Sequence, residues 1–338
     1  MTQFSRIRLL AVAVLCFVVA GVAAGLAFAR GNAARIGSGV VVIDTNLGYE
    51  DGAAAGTGMV LSSSGEILTN NHVIKGATTI KVVVPGTGHT YTAKVVGYSV
   101  SNDVAVLQAQ NASNLKTLSL GDSSTLRVGQ SVTALGNAGG TGRLLSAAGR
   151  ITGLGKAITA SDEGSSAERL TGLIETNAGI QPGDSGGPLL SSSGRAIGMD
   201  TAASSNSPFA SATATDAYAI PINRALTLAR QIESGTSTST VHIGGTAFLG
   251  IQVDAGSGDA PASGALIAAV VPNGAAATAG LVAGDTITAI NGRTVASPTA
   301  ITSILLTKTP GTKVIVTYLD QFGSSATATV TLGSGPAQ

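Results

Sequence analysis

The segment 182–188, with the sequence PGDSGGP, restricts the fold of this 338-residue chain more than any other stretch. Gly183 allows a turn tight enough to direct its own N–H and that of Ser185 towards one point, and Gly186 and Gly187 leave room for a substrate carbonyl to approach. A nucleophilic serine needs a base, and the tetrahedral intermediate that it forms needs preorganised N–H donors. An ordinary Gly/Ser turn is the simpler interpretation, but so many matching positions arise by chance only about once in 10⁵. The segment predicts Ser185 as a nucleophile and the N–H groups of Gly183 and Ser185 as an oxyanion hole.

The base must come from one of three histidines. His89 lies between two strand-like runs and His242 follows a Ser/Thr/Gly-rich stretch, so both are interpreted as surface residues. His72 lies where the hydrophobic run 67–69 ends and a turn begins. A lone histidine is most often structural, but beside the serine segment His72 is predicted to act as the general base and acid.

Asp103 is predicted to be the third member of a catalytic triad. It opens the apolar run 104–107, which is short enough to be a buried strand. A carboxylate there would hold the imidazole tautomer and stabilise the imidazolium, whereas the alternative role is a cap at the start of a strand. The order along the chain favours the triad, because His72, Asp103 and Ser185 follow the order of chymotrypsin-like folds, not that of α/β-hydrolases or subtilisins.

Three segments, 69–73 (TNNHV), 102–106 (NDVAV) and 182–188, resemble the catalytic blocks of the HtrA/Deg serine proteases and, within that family, the secreted mycobacterial PepA-type branch. The resemblance implies an exported serine endopeptidase that cleaves unfolded or damaged proteins without a metal or a cofactor. It also implies a homotrimer, although the aromatic contacts usual in such trimers are not evident between Arg30 and Gly48.

Asp184 departs from this family, in which many members have Asn before the nucleophile. In zymogen-activated relatives this aspartate pairs with a newly cut N-terminal amine, and residues 35–37 (RIG) resemble a tryptic activation site. We interpret residues 36–43 instead as part of the first strand. The resemblance to HtrA implies reversible ordering of loops without cleavage, with the polar loops 159–167 and 203–216 as the candidates.

The composition agrees with a chain rich in strands. Hydrophobic residues make up 44% of the chain and aromatic residues 3%, so the core is built from aliphatic side chains, which suit short strands. The formal charge of +1, without basic clusters, gives no electrostatic reason to expect nucleic acid as a partner. Cys16 is the only cysteine and lies in the N-terminal segment, so no internal disulfide is expected once that segment is removed.

Residues 1–29 are predicted to be a signal peptide or a membrane anchor. Arg6 and Arg8 precede an apolar run that ends in an A-x-A-like cleavage site at residues 27–29. Cleavage would release the protein, whereas a retained run is long enough to hold it at the outer face of the cytoplasmic membrane. In both cases the catalytic part is expected to be secreted or in the bacterial cell envelope, and the membrane is a partner only if the segment is retained.

The rest of the chain divides into a protease part, residues 35–233, a flexible Ser/Thr/Gly-rich linker, residues 234–243, and a second domain, residues 244–334. Strands that alternate with Gly-rich turns predict two antiparallel barrels, followed by a helix that Asn223 caps. The run 279–292 resembles a PDZ domain of the HtrA type. The expected fold is an all-β trypsin-like double β-barrel protease domain followed by a small α+β PDZ domain.

The loop Phe248-Leu249-Gly250-Ile251 is predicted to bind a terminal carboxylate through backbone N–H groups, with a peptide added as a strand beside Ile251. The expected partners are unfolded protein substrates and hydrophobic C-terminal peptides. The alternative function is a peptide-binding chaperone or scaffold with a latent protease site. An esterase fits the triad but not the PDZ domain.

The specificity pocket is predicted from its floor and one wall. Gly179 lies six residues before Ser185, where trypsin-like enzymes place an aspartate, so the floor carries no charge for Lys or Arg. The strand that begins at residue 197 is predicted to form the wall through Gly198, Thr201 and Ala202. These small side chains predict cleavage after Val, Ala or Leu.

Overall fold

In the computed structural model the described residues are 37–49, 52–160, 168–203, 216–254 and 264–337. The predicted signal or anchor segment and most of the two candidate regulatory loops lie outside these residues. From Gly39 onwards the chain forms one compact unit. None of the described helices is long and apolar enough to cross a membrane.

The first barrel is built from six strands, β1 (Val40–Leu47), β2 (Gly52–Val60), β3 (Glu66–Thr69), β4 (Thr79–Val83), β5 (Thr90–Ser99) and β6 (Val104–Ala109). They pair antiparallel in the order β5-β4-β1-β2-β3-β6, and a further pairing of β5 with β6 closes the barrel. Val41 and Ile43 of β1 pack inside it against Ile67 and Leu107, because alternate residues of a strand face the same side. Helix α1 (Asn71–Ile74) follows β3, and a 3₁₀ turn (Val100–Asn102) precedes β6.

The second barrel is built from β7 (Ser131–Gly136), β8 (Leu145–Ala160), β9 (Glu168–Thr176), β10 (Pro188–Ser191), β11 (Ala196–Ala203) and β12 (Ala217–Pro221). It closes in the order β10-β11-β12-β9-β8-β7. Its core contains Ile151, Ile174, Leu189 and Ile197. Two 3₁₀ turns (Ser123–Thr125 and Ala138–Gly140) precede and follow β7.

Helix α2 (Ile222–Glu233) follows β12 and packs on β6 and β11, so it contacts both barrels. The prediction that Asn223 caps this helix is wrong. Pro221 occupies the N-cap position, and the Asn223 amide donates a hydrogen bond to Asp122 Oδ1 at 2.7 Å instead. The helix begins two residues earlier than the sequence indicated, which places Asn223 inside its first turn.

The C-terminal part contains β13 (His242–Ile243), β14 (Thr246–Phe248), β15 (Ile251–Val253), β16 (Ala265–Val270), β17 (Thr286–Ile290), β18 (Arg293–Thr294), β19 (Lys313–Leu319), β20 (Ser325–Thr331) and β21 (Gly333–Gly335), with helices α3 (Ala275–Thr278) and α4 (Pro298–Leu305). Its main sheet has the order β15-β16-β17-β19-β20, while β18 pairs with β17 and β14 with β21. Ile301 and Ile304 of α4 pack in the core with Ile267, Ile287 and Val316. The two barrels and this small α+β domain confirm the predicted fold class.

The end of the predicted linker belongs to the first barrel's sheet. β13 pairs with β5, and Val241 just before it is 2% exposed. The Tyr98 hydroxyl of β5 also lies 2.9 Å from the Thr246 hydroxyl oxygen at the start of the next strand. The chain therefore enters the C-terminal domain along an additional barrel strand, and the domain limits themselves stay predictions.

Candidate active site

His72 lies in α1, directly after β3, and is bonded to Asp103 in two ways. Its Nδ1 is 2.9 Å from Asp103 Oδ2, and its main-chain N–H donates to Oδ1 of the same carboxylate at 3.0 Å. The histidine side chain is 32% exposed and the aspartate side chain 5% exposed. A proton on Nδ1 that is donated to the carboxylate leaves the lone pair on Nε2, which is the tautomer that a general base needs.

Asp103 has an uncommon backbone conformation, with a φ of 51° between the 3₁₀ turn and β6. A left-handed residue other than glycine costs on the order of 1–3 kcal/mol, so the surroundings must hold it. Its N–H donates to Val100 O at 3.0 Å, and its carbonyl accepts a hydrogen bond from Asn70 Nδ2 at 2.9 Å. These bonds hold the backbone in the conformation that brings the carboxylate to His72.

Thr201 of β11 connects this carboxylate with the serine. Its hydroxyl donates to Asp103 Oδ2, and its carbonyl accepts a hydrogen bond from Ser185 Oγ at 3.3 Å. The prediction that Thr201 lines the specificity pocket is wrong, because its buried side chain is turned towards Asp103. No sequence motif distinguished this hydroxyl from those of the many other threonines.

The nucleophile loop, defined as residues 182–187, is packed tightly between the two barrels. Gly183 has a φ of 99°, and a Cβ atom there would lie 2.2 Å from Asn137 O. Gly186 has a φ of 84°, and a Cβ atom there would lie 2.1 Å from Thr57 O. Any other residue would collide with these backbone atoms, so the glycines of the PGDSGGP segment are required by the close approach.

Two peptide groups of the nucleophile loop have defined orientations. The Pro182 carbonyl accepts a hydrogen bond from Gly139 N–H at 2.8 Å, and the Asp184 carbonyl accepts one from Gly187 N–H at 2.8 Å. A trans peptide group directs its C=O and its N–H to opposite sides. The N–H groups of Gly183 and Ser185 therefore face away from these two donors.

Thr57 of β2 positions the nucleophile loop, and sequence reasoning missed it. Its main-chain N–H donates to Ser185 O at 2.9 Å, and its hydroxyl donates to Gly183 O at 2.7 Å. The same hydroxyl accepts from Asn137 N–H at 2.9 Å, and the residue is completely buried. Thr57 thereby ties a loop of the second barrel to a strand of the first.

Two further carboxyl groups lie beside the nucleophile loop. Burial raises the pKa of Asp184, and the N–H groups of Gln181 and Ala138 oppose this effect by donating to the carboxylate. Asp200 is completely buried, and burial raises the pKa of its carboxyl group well above the usual range, with the charge of Asp184 acting in the same direction. Neither carboxyl oxygen of Asp200 has a hydrogen-bond partner among the described residues.

The other predicted pocket residues do not form one group. Gly179, which was predicted to form the floor of the pocket, is exposed. Gly198 lies in the core of the second barrel, where a Cβ atom would meet the side chains of Ala219 and Ile174 at 3.2 Å, so its assignment to a pocket wall is wrong. The side chain of Ala202 lies outside the described part of the structure.

The loop predicted to bind a peptide carboxylate follows β14. Leu249 is buried in the core of the C-terminal domain, and Gly250 has a φ of 75°. The Phe248 ring stacks on Tyr49, from the connection between β1 and β2, with 5.3 Å between the ring centroids. Ile251 begins β15, the end strand in the order of the main sheet, where a peptide could be added as a further strand.

Comparison with known proteins identifies both domains. Residues 56–199 match the trypsin-like peptidase domain, and residues 238–319 match the PDZ domain. The solved structure of the HtrA-type protease AlgW with tripeptide is 27% identical in sequence with a TM-score of 0.50, and the match covers 89% of this chain and 95% of the AlgW chain. The chain is an HtrA/Deg homologue.

Two relatives describe the family further. The serine protease PepD of Mycobacterium tuberculosis is 34% identical over 313 residues, which cover 89% of this chain and 65% of PepD. The periplasmic serine endoprotease DegP of Escherichia coli is 35% identical over 269 residues, which cover 79% of this chain and 54% of DegP. This HtrA/Deg homologue thus spans less than two thirds of the length of either relative.

Proposed function

We propose that this HtrA/Deg homologue is an exported serine endopeptidase that cleaves unfolded or damaged proteins. Ser185 is the nucleophile, His72 the general base and acid, and Asp103 the residue that orients the imidazole. The observation that carries the proposal is the link through Thr201, whose hydroxyl contacts the Asp103 carboxylate while its carbonyl accepts the Ser185 hydroxyl. His72 is bonded to the same carboxylate, so all three proposed triad members belong to one hydrogen-bonded group.

The proposed oxyanion hole consists of the N–H groups of Gly183 and Ser185. Its support is the orientation of the nucleophile loop, in which the preceding carbonyl groups are already bonded elsewhere. Donors held in place before the reaction need no reorganisation when charge develops, and loss of one such donor costs about 10²–10³ in kcat. This orientation supports an oxyanion hole that forms without rotation of either peptide group.

The proposed PDZ ligand is a hydrophobic C-terminal peptide, and the proposed location is the bacterial cell envelope or the medium. The PDZ match and the solved AlgW structure with tripeptide support the first part. The apolar run of the N-terminal segment and the periplasmic relatives support the second. The uncharged, exposed Gly179 supports cleavage after small apolar residues, and faster cleavage of a peptide with Arg than of one with Val before the cut would contradict it.

Degradation of β-casein by the chain from Arg30 onwards tests the proposed function, with the Ser185→Ala variant as the control. The wild-type chain should degrade casein, and removal of the nucleophile should lower the rate by about 10⁶. Equal degradation by both proteins would reveal a contaminating protease. No degradation by the wild-type chain, with or without hydrophobic C-terminal peptides, would contradict the proposal and favour the chaperone or scaffold with a latent site.

A further inference from the structure

Asp200 has an environment in which a charged carboxylate is not stable. It lies in β11 directly before Thr201, with no exposed surface. Neither its Oδ1 nor its Oδ2 has a hydrogen-bond partner in the described part of the chain. Burial of a charge without donors is costly, so such a group binds a proton instead. The native fold therefore favours the neutral acid at this position.

Among the residues that the structure describes, the strands and the nucleophile loop around Asp200 supply no compensating cation. Asp184 of the nucleophile loop is the ionisable group whose charge acts on it, and that charge is of the same sign. On β12, which pairs with β11, the Tyr218 hydroxyl is directed to Glu175. The other neighbour, β10, carries no ionisable side chain.

Helix α2, which also packs on β11, directs its charged groups elsewhere. Arg224 donates to Asn102 Oδ1 at 2.6 Å. Arg230 acts on Glu233, which also interacts with Glu66. Ionisation of the buried acid would therefore add a second negative charge beside the nucleophile loop without adding a partner for it.

Asp200 is bonded directly to the loop that carries the nucleophile. Gly186 N–H donates to Asp200 O, and Asp200 N–H donates to Gly187 O, both at 2.8 Å. The next residue is Thr201, which contacts Ser185 and Asp103. A displacement of Asp200 is thus transmitted to the serine from two directions.

We propose that Asp200 is a positioning residue that keeps Ser185 aligned only while its own carboxyl group is protonated. This inference rests on the proposed endopeptidase function. Ionisation sets two like charges against each other, so β11 and the nucleophile loop separate and Ser185 loses the position in which its Oγ donates to Thr201 O. Cleavage then falls as the pH rises, in contrast to the effect of His72, which must lose its proton to act as a base.

The stability of the fold should also decrease as the pH rises. The unfolded chain releases the aspartate proton near pH of about 3.9, whereas the buried acid keeps it to a higher pH because burial raises its pKa. Between these two values the unfolded state binds fewer protons, so the folding constant falls by about tenfold for each pH unit. Below both pKa values the folded and unfolded states are equally protonated, and Asp200 no longer makes the folding constant depend on pH.

The test compares kcat/KM from about pH 5 to about pH 10 on a quenched peptide with Val before the cut, a range that spans histidine and raised carboxyl pKa values. The proteins are the wild type, Asp200→Asn, Asp200→Ala and the control Asp44→Asn, which changes an exposed aspartate of β1 in the same way. Wild type and control should lose about tenfold per pH unit on the alkaline side, and Asp200→Asn should not, because its amide is neutral. Asp200→Ala should be less active than Asp200→Asn, because it leaves a cavity.

A second measurement separates this inference from the proposed function. Thermal unfolding of Ser185→Ala is compared with that of Ser185→Ala/Asp200→Asn across the same pH range, and the double variant should be the less pH-dependent of the two. Identical pH profiles of unfolding in the two proteins would contradict the inference that Asp200 is protonated in the native fold. The unfolding profiles can differ while Asp200→Asn still loses cleavage at alkaline pH. That result would give Asp200 a structural role only and would contradict its role in positioning Ser185. If no protein cleaves at any pH, the proposed function and the positioning role both fall, while unfolding still decides the protonation of Asp200.

Discussion

Asp103 and Asp200 form two contrasting regions on either side of Thr201. Both aspartates are buried, with exposed fractions of 4% and 0%. The Asp103 carboxylate accepts hydrogen bonds from the His72 main chain, the His72 ring and the Thr201 hydroxyl, whereas Asp200 has no side-chain partner among the described residues. The comparison teaches that two aspartates of similar depth can differ in hydrogen-bond donors, which compensate a buried carboxylate for the water that it has lost.

The Asp103→Asn substitution should cause the largest loss of activity. It removes the contrast between the two aspartates by replacing the carboxylate that contacts His72. An amide of the same shape donates where the carboxylate accepts, so it favours the wrong histidine tautomer and does not stabilise the imidazolium. Triads of this type lose about 10⁴ in kcat from this change. Peptide cleavage measures the loss, and an unchanged unfolding midpoint confirms that the variant is folded. A loss of less than about tenfold would show that Asp103 does not orient the base.

The Thr201→Val substitution should give an intermediate effect, because it removes one donor from Asp103 and keeps the carbonyl that binds Ser185 Oγ. Hydrogen bonds to charged groups contribute about 1.5–3 kcal/mol, which corresponds to a loss of about 10- to 100-fold in kcat. The control is Thr201→Ser, which retains the hydroxyl and should keep most of the activity. Equal losses in the two variants would assign the effect to packing of the side chain and not to its hydrogen bond.

The Asp184→Asn substitution should give the smallest effect, which is a change in the pH dependence of unfolding. It separates the influence of the Asp184 charge on Asp200 from that of burial. It removes the like charge beside Asp200, but burial, the larger cause of the raised pKa of Asp200, remains. Asp184 itself is partly compensated by two N–H donors. In the Ser185→Ala background the pH dependence of unfolding should therefore become weaker, but less so than with Asp200→Asn. A stronger flattening than with Asp200→Asn would identify Asp184 as the less compensated acid.

The double barrel and the PDZ domain could be predicted because they depend on local signals, whereas the meeting of His72 with Asp103 was predicted from the order of the candidate residues along the chain. A glycine-rich segment restricts backbone geometry, and alternating apolar residues restrict strands. The tight turn expected at Gly183 has a φ of 99°. Gly186 is required for a reason that was not expected, because the backbone of Thr57, and not a substrate carbonyl, approaches it.

The roles of Thr57, Thr201 and Asp200 could not be predicted, because each depends on partners far away in the chain. Thr57 bonds to a carbonyl 126 positions later, and no spacing rule covers such a pair. The prediction of the pocket wall was wrong for a different reason. The pairing of β11 with β12 shifts register between Asp200 and Ala202, and such an irregularity changes which side chains face inwards. The sequence carries no sign of this irregularity, so the sides to which Gly198 and Thr201 face could not be derived from it.

The hydrogen bonds of Thr57 make completion of both barrels a condition for assembly of the centre. The nucleophile loop belongs to the second barrel, whereas Thr57, His72 and Asp103 belong to the first. A chain that is still being synthesised, or one that has lost its fold, holds every reacting group and yet has no assembled centre. Under the proposed function an unfolded copy is thus a substrate and not an enzyme, so newly made molecules are unable to destroy one another before they are finished.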